Sequence, residues 1–71
     1  MQRTSVQSSN LSSVGYDSAL QILEIEFHTS GVYQYHGVPE SVYDALMSAG
    51  SKGTYFAQYI KKGGYQYQKV G

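Results

Sequence analysis

The stretch Leu23-Glu24-Ile25-Glu26-Phe27 alternates apolar and acidic side chains, and a turn and a second alternating run follow it directly. Successive side chains of a strand point to opposite faces, so this pattern sets Leu23, Ile25 and Phe27 on one face and the glutamates on the other. His28-Thr29-Ser30-Gly31 reads as the turn and Val32 to His36 as the returning strand. Pairing Phe27 with Tyr33 brings Ile25 opposite Tyr35, and puts Glu26 and Glu24 opposite Gln34 and His36. A one-residue slip would bury the acids, so one face of this hairpin must be a core.

The flanking segments complete a thin domain. Val14-Gly15-Tyr16-Asp17 reads as an earlier strand, preceded by a serine-rich stretch that is strand or irregular, with a turn at Asp17-Ser18-Ala19. Pro39 starts a helix, because its fixed φ suits a first turn and its missing N–H is not needed there. Val42, Ala45, Leu46 and Ala49 form that helix's apolar stripe, and Gly50 is expected to end it in a left-handed conformation. Ser51 caps a second helix with Phe56, Tyr59 and Ile60 on its buried side, and Gly63-Gly64 break it. Tyr65 to Val70 alternates as a last strand. The expected fold is α+β: a small antiparallel sheet with two short helices in the order β-β-β-α-α-β.

Seventy-one residues make one domain, 1–71, with room for one thin core and none for a buried active-site cavity. No cysteine is present, which excludes disulfides and thiolate metal sites. No apolar run is long enough for a membrane span, and the polar N-terminus lacks a signal peptide's apolar core. A cytoplasmic protein of a bacterium or a phage is expected. No phosphate loop or nucleophile–base motif appears, so neither an enzyme nor a cofactor is expected. His36 shares the hairpin's outer face with Glu24 and Glu26; an exposed cross-strand charge pair is the simpler expectation there than a metal site. His28 is expected to be a solvated turn residue.

Charge and tyrosine are the informative quantities. Net charge is zero, yet residues 1–50 hold one arginine against five acids, net −4, and residues 51–71 hold four lysines and no acid, net +4. Eight residues are tyrosines. Tyr33, Tyr35 and Tyr59 are expected to pack, whereas Tyr65 and Tyr67 share a strand face with Lys69. Aromatic rings edged by ammonium groups suit stacking on unpaired bases with charge aimed at the backbone. Lys52 and Tyr55, with Lys61 and Lys62, extend that candidate surface. The alternative is a protein–protein or homodimer contact made by the tyrosines or by an exposed edge strand. Two helices joined at Gly50 also admit a helix-turn-helix DNA reader, although the second offers few residues to bases.

Several segments together resemble the KTSC domain family. They are Ser8-Ser9-Asn10-Leu11, Val14-Gly15-Tyr16-Asp17, Leu23 to Phe27, Gly31-Val32-Tyr33-Gln34-Tyr35, Gly37-Val38-Pro39, Ala49 to Phe56, Ile60, and Tyr65-x-Tyr67. The resemblance spans residues 6–70. It implies a stand-alone relative of a domain found at the C-terminus of some lysyl-tRNA synthetases, for which RNA binding has been suggested. Tyr33, Tyr35 and Lys52 are the residues it points to. The last strand departs from the family pattern, with Gln66 and Gln68 where proline or basic residues are expected.

Overall fold

A computed structural model describes all residues, 1–71. Five antiparallel strands form one meandering sheet in chain order: β1 (Thr4–Ser5), β2 (Leu11–Asp17), β3 (Ile22–Phe27), β4 (Gly31–His36) and β5 (Gln66–Lys69). Helix α1 (Glu40–Ser48) and helix α2 (Lys52–Tyr55), which runs on into a π-helical segment (Phe56–Lys61), lie between β4 and β5. The α+β class matches expectation. The sheet gains the two-residue β1, too short to register as a sequence pattern.

The core follows the alternation. Leu11, Val14, Leu23, Ile25 and Tyr35 meet Val38, Leu46, Phe56 and Ile60 in one buried cluster. A bulge helps: Ser13 pairs with Glu26 but Leu11 pairs with Phe27, so Ser12 is the extra residue. Without it, period-two alternation from Val14 would turn Leu11 outward; with it, Leu11 is fully buried.

The β3–β4 hairpin is shifted two residues from the expected register. Phe27 pairs with Gly31, Ile25 with Tyr33, Leu23 with Tyr35, and Glu24 with Gln34. Gly31 is the cause: with φ +96 it joins the ladder itself and shortens the turn to His28-Thr29-Ser30. An even shift keeps every side chain on its expected face.

Two helix details also differ. Residue Ala49 closes α1 in an extended conformation (φ −69, ψ 141), and Gly50 does not enter the left-handed region. Ser51 caps α2 as expected, accepting the Thr54 N–H at 3.3 Å. Beyond α2 the chain widens to i→i+5 bonding, which keeps Phe56 and Ile60 buried but rotates Tyr59 outward to 57% exposure. Tyr59 leans on Tyr55 instead, with ring centroids 4.7 Å apart.

Candidate nucleic-acid interface

The candidate site grows from the last strand. Tyr67 pairs with Tyr35 and Lys69 with Tyr33, which places all four on the helix-side face of the sheet. The helices do not cover β5, and Tyr67 is 63% exposed. Its ring lies 5.4 Å from Tyr35 and 6.2 Å from Tyr33. Beneath it, Tyr35 meets Phe56 edge-on at 5.4 Å, and Phe27 meets Phe56 at 5.3 Å and Tyr33 at 5.7 Å. Edge-to-face contacts of this kind hold aromatic rings in fixed orientations. Tyr67 therefore rests as an open ring on an ordered aromatic floor.

That floor lines an open groove of about 660 Å³ between the hairpin tip and the π-helical segment. Ser9, Asn10, His28, Thr29, Ser30 and Lys61 form its polar rim. His28 is fixed through a 2.9 Å hydrogen bond between Nε2 and the Ser8 carbonyl oxygen. Lys69 lies outside this lining and reaches toward the hairpin turn, where a Cβ on Gly31 would lie 3.0 Å from its Cε. The π-helical segment supplies the opposite wall, because Ala57 and Lys61, four residues apart, both face the groove. Burial pushes the Tyr35 hydroxyl up to about 12, with the neighbouring Tyr67 and Tyr33 hydroxyls adding to the effect.

Of the nine residues singled out in the sequence, Tyr33, Tyr35, Tyr67 and Lys61 line the groove, and Lys69 lies across the strand from Tyr33. The other four lie elsewhere. Tyr65 precedes β5 and is half-buried against the glycine turn, where a Cβ on Gly63 would meet its ring at 2.8 Å. Lys52 donates to the Ala49 carbonyl oxygen at 3.3 Å, Tyr55 stacks on Tyr59, and Lys62 is exposed outside the groove. Sequence reasoning missed Phe27 and Phe56 as the floor and Asn10 and His28 as the rim. Phe27 was legible as an inward strand position; the rim was not, because it joins segments far apart in sequence.

The opposite sheet face corrects a second expectation. Glu24 is not solvated: it is 6% exposed, beneath the N-terminal residues. Arg3 donates through Nη1 to Glu24 Oε2 and through Nε to Ser13 Oγ at 2.8 Å. Gln34 donates to Glu24 Oε1 at 2.8 Å, and Ser13 to Glu26 Oε1 at 2.9 Å. Burial alone would raise the Glu24 carboxyl, but the hydrogen bonds from Gln34 and Arg3 and the Arg3 charge outweigh it and hold the pKa below its ordinary value. His36 pairs with Ile22 and Gln66 rather than with Glu24. No group of three or more His, Asp or Glu side chains gathers in a metal-binding arrangement.

The KTSC domain model matches residues 7–67. The chain belongs to the KTSC domain family. Its fold superposes on the crystal structure of a KTSC domain protein from Yersinia pestis with a TM-score of 0.94, at 47% identity over 99% of this chain and 97% of that one. An uncharacterised protein of Stutzerimonas stutzeri is 44% identical over 70 residues, 99% of each chain. A lysine–tRNA ligase of Trichormus variabilis is 42% identical over 55 residues, which make up 78% of this chain and 10% of the ligase.

Every groove-lining residue falls within the part of the chain that matches the KTSC domain. Arg3 and the rest of the N-terminal arm precede it, and Lys69 follows it. No helix of this KTSC protein is long and apolar enough to cross a membrane.

Proposed function

We propose that this KTSC protein is a non-catalytic binding module whose aromatic groove takes unpaired RNA. The carrying observation is Tyr67, 63% exposed above Tyr33 and Tyr35, with Lys61 on the opposite wall. An open ring offers a π-face to any base, and one stacked base contributes about 1–3 kcal/mol. Exposed serine, threonine and asparagine side chains along the rim can hydrogen-bond to base edges and ribose hydroxyls. The similarity to a segment of lysine–tRNA ligases supports an RNA ligand over a DNA one.

The affinity is bounded by how few charges reach the groove. Only Lys61 and Lys69 are placed to meet phosphates, so a single strand should show a log–log salt slope of about −1.4. This is a weak auxiliary grip, and the +4 charge of residues 51–71 is spread too widely to act at one site.

Titration of the labelled protein with tRNA and with short RNA single strands in about 50 mM salt tests it, since low salt favours phosphate contacts. Amide shifts should map to Tyr67, Lys61 and Ser30 and vanish in Tyr67→Ala. A spectrum in which these three amides stay still while RNA is in excess would overturn the proposal.

A further inference from the structure

The sheet has one long open edge, and its chemistry suits a second copy of itself. All four residues of β5 are exposed, so neither face of the strand is covered by its own chain. The other edge, β1, is only two residues long. Edges are normally blunted by shortness, charge, proline or a bulge; Gln66–Lys69 has no proline, and its one charge is the Lys69 ammonium group on the face it shares with Tyr67.

Hydrogen bonding at the end of the strand fixes which peptide groups are free. The Val32 carbonyl accepts from Val70 N–H at 2.8 Å and Gly71 N–H at 3.2 Å, so the Val70 amide faces β4. Amides alternate in direction along an antiparallel strand, so Gln68 and Gln66 also face β4. The N–H and C=O groups of Tyr67 and Lys69 therefore point to the free edge, with no strand to receive them.

We infer that β5 pairs antiparallel with β5 of a second copy about a twofold axis at Gln68. In that register Tyr67 and Lys69 of one copy exchange backbone hydrogen bonds with Lys69 and Tyr67 of the other. On the groove face each ammonium group then lies across the strand from a tyrosine ring, an attractive pairing. On the back face the two Gln68 amides meet at the axis. The neighbouring registers are worse. An axis at Lys69 sets lysine against lysine, and an axis at Tyr67 needs Tyr65, which lies outside the strand and is half-buried by the glycine turn. The pairing joins the two sheets into one and places Lys69 of the second copy beside Tyr67, adding a charge to each groove. It does not depend on RNA binding.

The absence of native cysteine makes the register testable, because any disulfide in a single-cysteine variant is intermolecular. Gln68→Cys sits on the axis in a non-hydrogen-bonded pair, where the Cβ atoms are within disulfide reach, whereas Gln66→Cys would face Val70 and be too far from its copy. Oxidation should link Gln68→Cys at least about tenfold faster than Gln66→Cys. Sedimentation of the unmodified protein should show an average mass that climbs with concentration, and Lys69→Pro, which removes both an edge-facing N–H and the ammonium group set against Tyr67 of the other copy, should shift it back toward the monomer. Equal linking rates for the two cysteine variants, or a monomer mass at every concentration, would overturn the inference. Should Lys69→Pro fail to fold, the two cysteine variants decide alone.

Discussion

The two faces of the sheet solve the same problem by different means. On the helix side Leu11, Leu23, Ile25 and Leu46 are fully buried, held by area removed from water. On the back face Glu24 is almost as buried, yet it is held by matched partners: Arg3 from the arm, Gln34 from β4, and Ser13 linking Arg3 to Glu26. No buried side-chain polar atom is left without a partner. The apolar face depends on area and not on particular atoms, so period-two alternation alone marks the residues that line it. The polar face requires particular atoms in particular places, and its lid is a short arm ahead of the matched family segment.

The largest expected effect comes from the apolar face. Ile25→Ala or Leu46→Ala removes a fully buried side chain and should cost about 2–5 kcal/mol. A 71-residue domain has roughly 4–10 kcal/mol in all, so either variant should lose a large share of the total stability. Chemical denaturation measures this. A loss below about 1 kcal/mol at both positions would mean that the two faces are less different than their composition says.

Next in size is the arm. A Cβ on Gly15 would lie 2.6 Å from the Gln2 carbonyl oxygen, a backbone atom that cannot swing aside as a side-chain tip can. Gly15→Ala should therefore lift the arm, and Arg3→Ala should remove its anchor while leaving Gly15 clear. Arg3 is 30% exposed at its side chain, so each change should cost about 1–2 kcal/mol, below the cost of orphaning a fully buried charge. The double variant should cost little more than either alone, because both break one contact. Additive losses in thermal melts would separate the arm from the Glu24 network and break the comparison.

How much of this was legible follows the same division. Periodicity reports area, so the strand faces, the inward positions of Leu23, Ile25 and Phe27, and the stripe of Val42 and Leu46 were readable. Directional features were not. Residues Arg3 and Glu24 are 21 positions apart, and nothing local marks an arginine that folds back over a strand. The bulge at Ser12 and the φ of Gly31 set registers that alternation alone leaves open by multiples of two. Tyr59 was misplaced because the helical period assumed was 3.6, and the π-helical segment departs from it. For the groove, the Tyr67 and Lys69 positions were readable from the last strand. Its floor and rim depend on tertiary contacts between β3, β4 and the helical segment.

Acidity separates the faces without a change of shape. The Glu24 pKa is lowered in the folded state, so its contribution is fully present above its ordinary value of 4.5 and is lost as pH falls through the lower folded value. The apolar face has no counterpart in that range. Glu24→Gln should flatten the acid limb of a stability–pH curve below pH 4.5 and leave the shape of the curve near neutrality unchanged. Tyr35 acts in the opposite direction at high pH. Its hydroxyl is raised from 10.0 to about 12, so its contribution is full below pH 10 and is lost as pH rises through 12. An acid limb equally steep in Glu24→Gln would assign the loss to other carboxyl groups.

Tyr67→Ala should show the smallest change in stability, and that smallness is informative. The side chain sits on the apolar face but beyond the reach of the helices, so little area is recovered when it folds. Only its ring contacts with Tyr35 and Tyr33 are lost, about 0.5–1.5 kcal/mol. Tyr35→Ala, one strand inward and 6% exposed, should instead approach the 3–5 kcal/mol of a buried aromatic truncation. Two tyrosines directly opposite one another would then differ several-fold, which divides the apolar face into a sealed part that holds the fold and an open part free to hold a ligand. If guanidinium melts gave the two variants similar losses, Tyr67 would be a core residue and the groove would lose its platform.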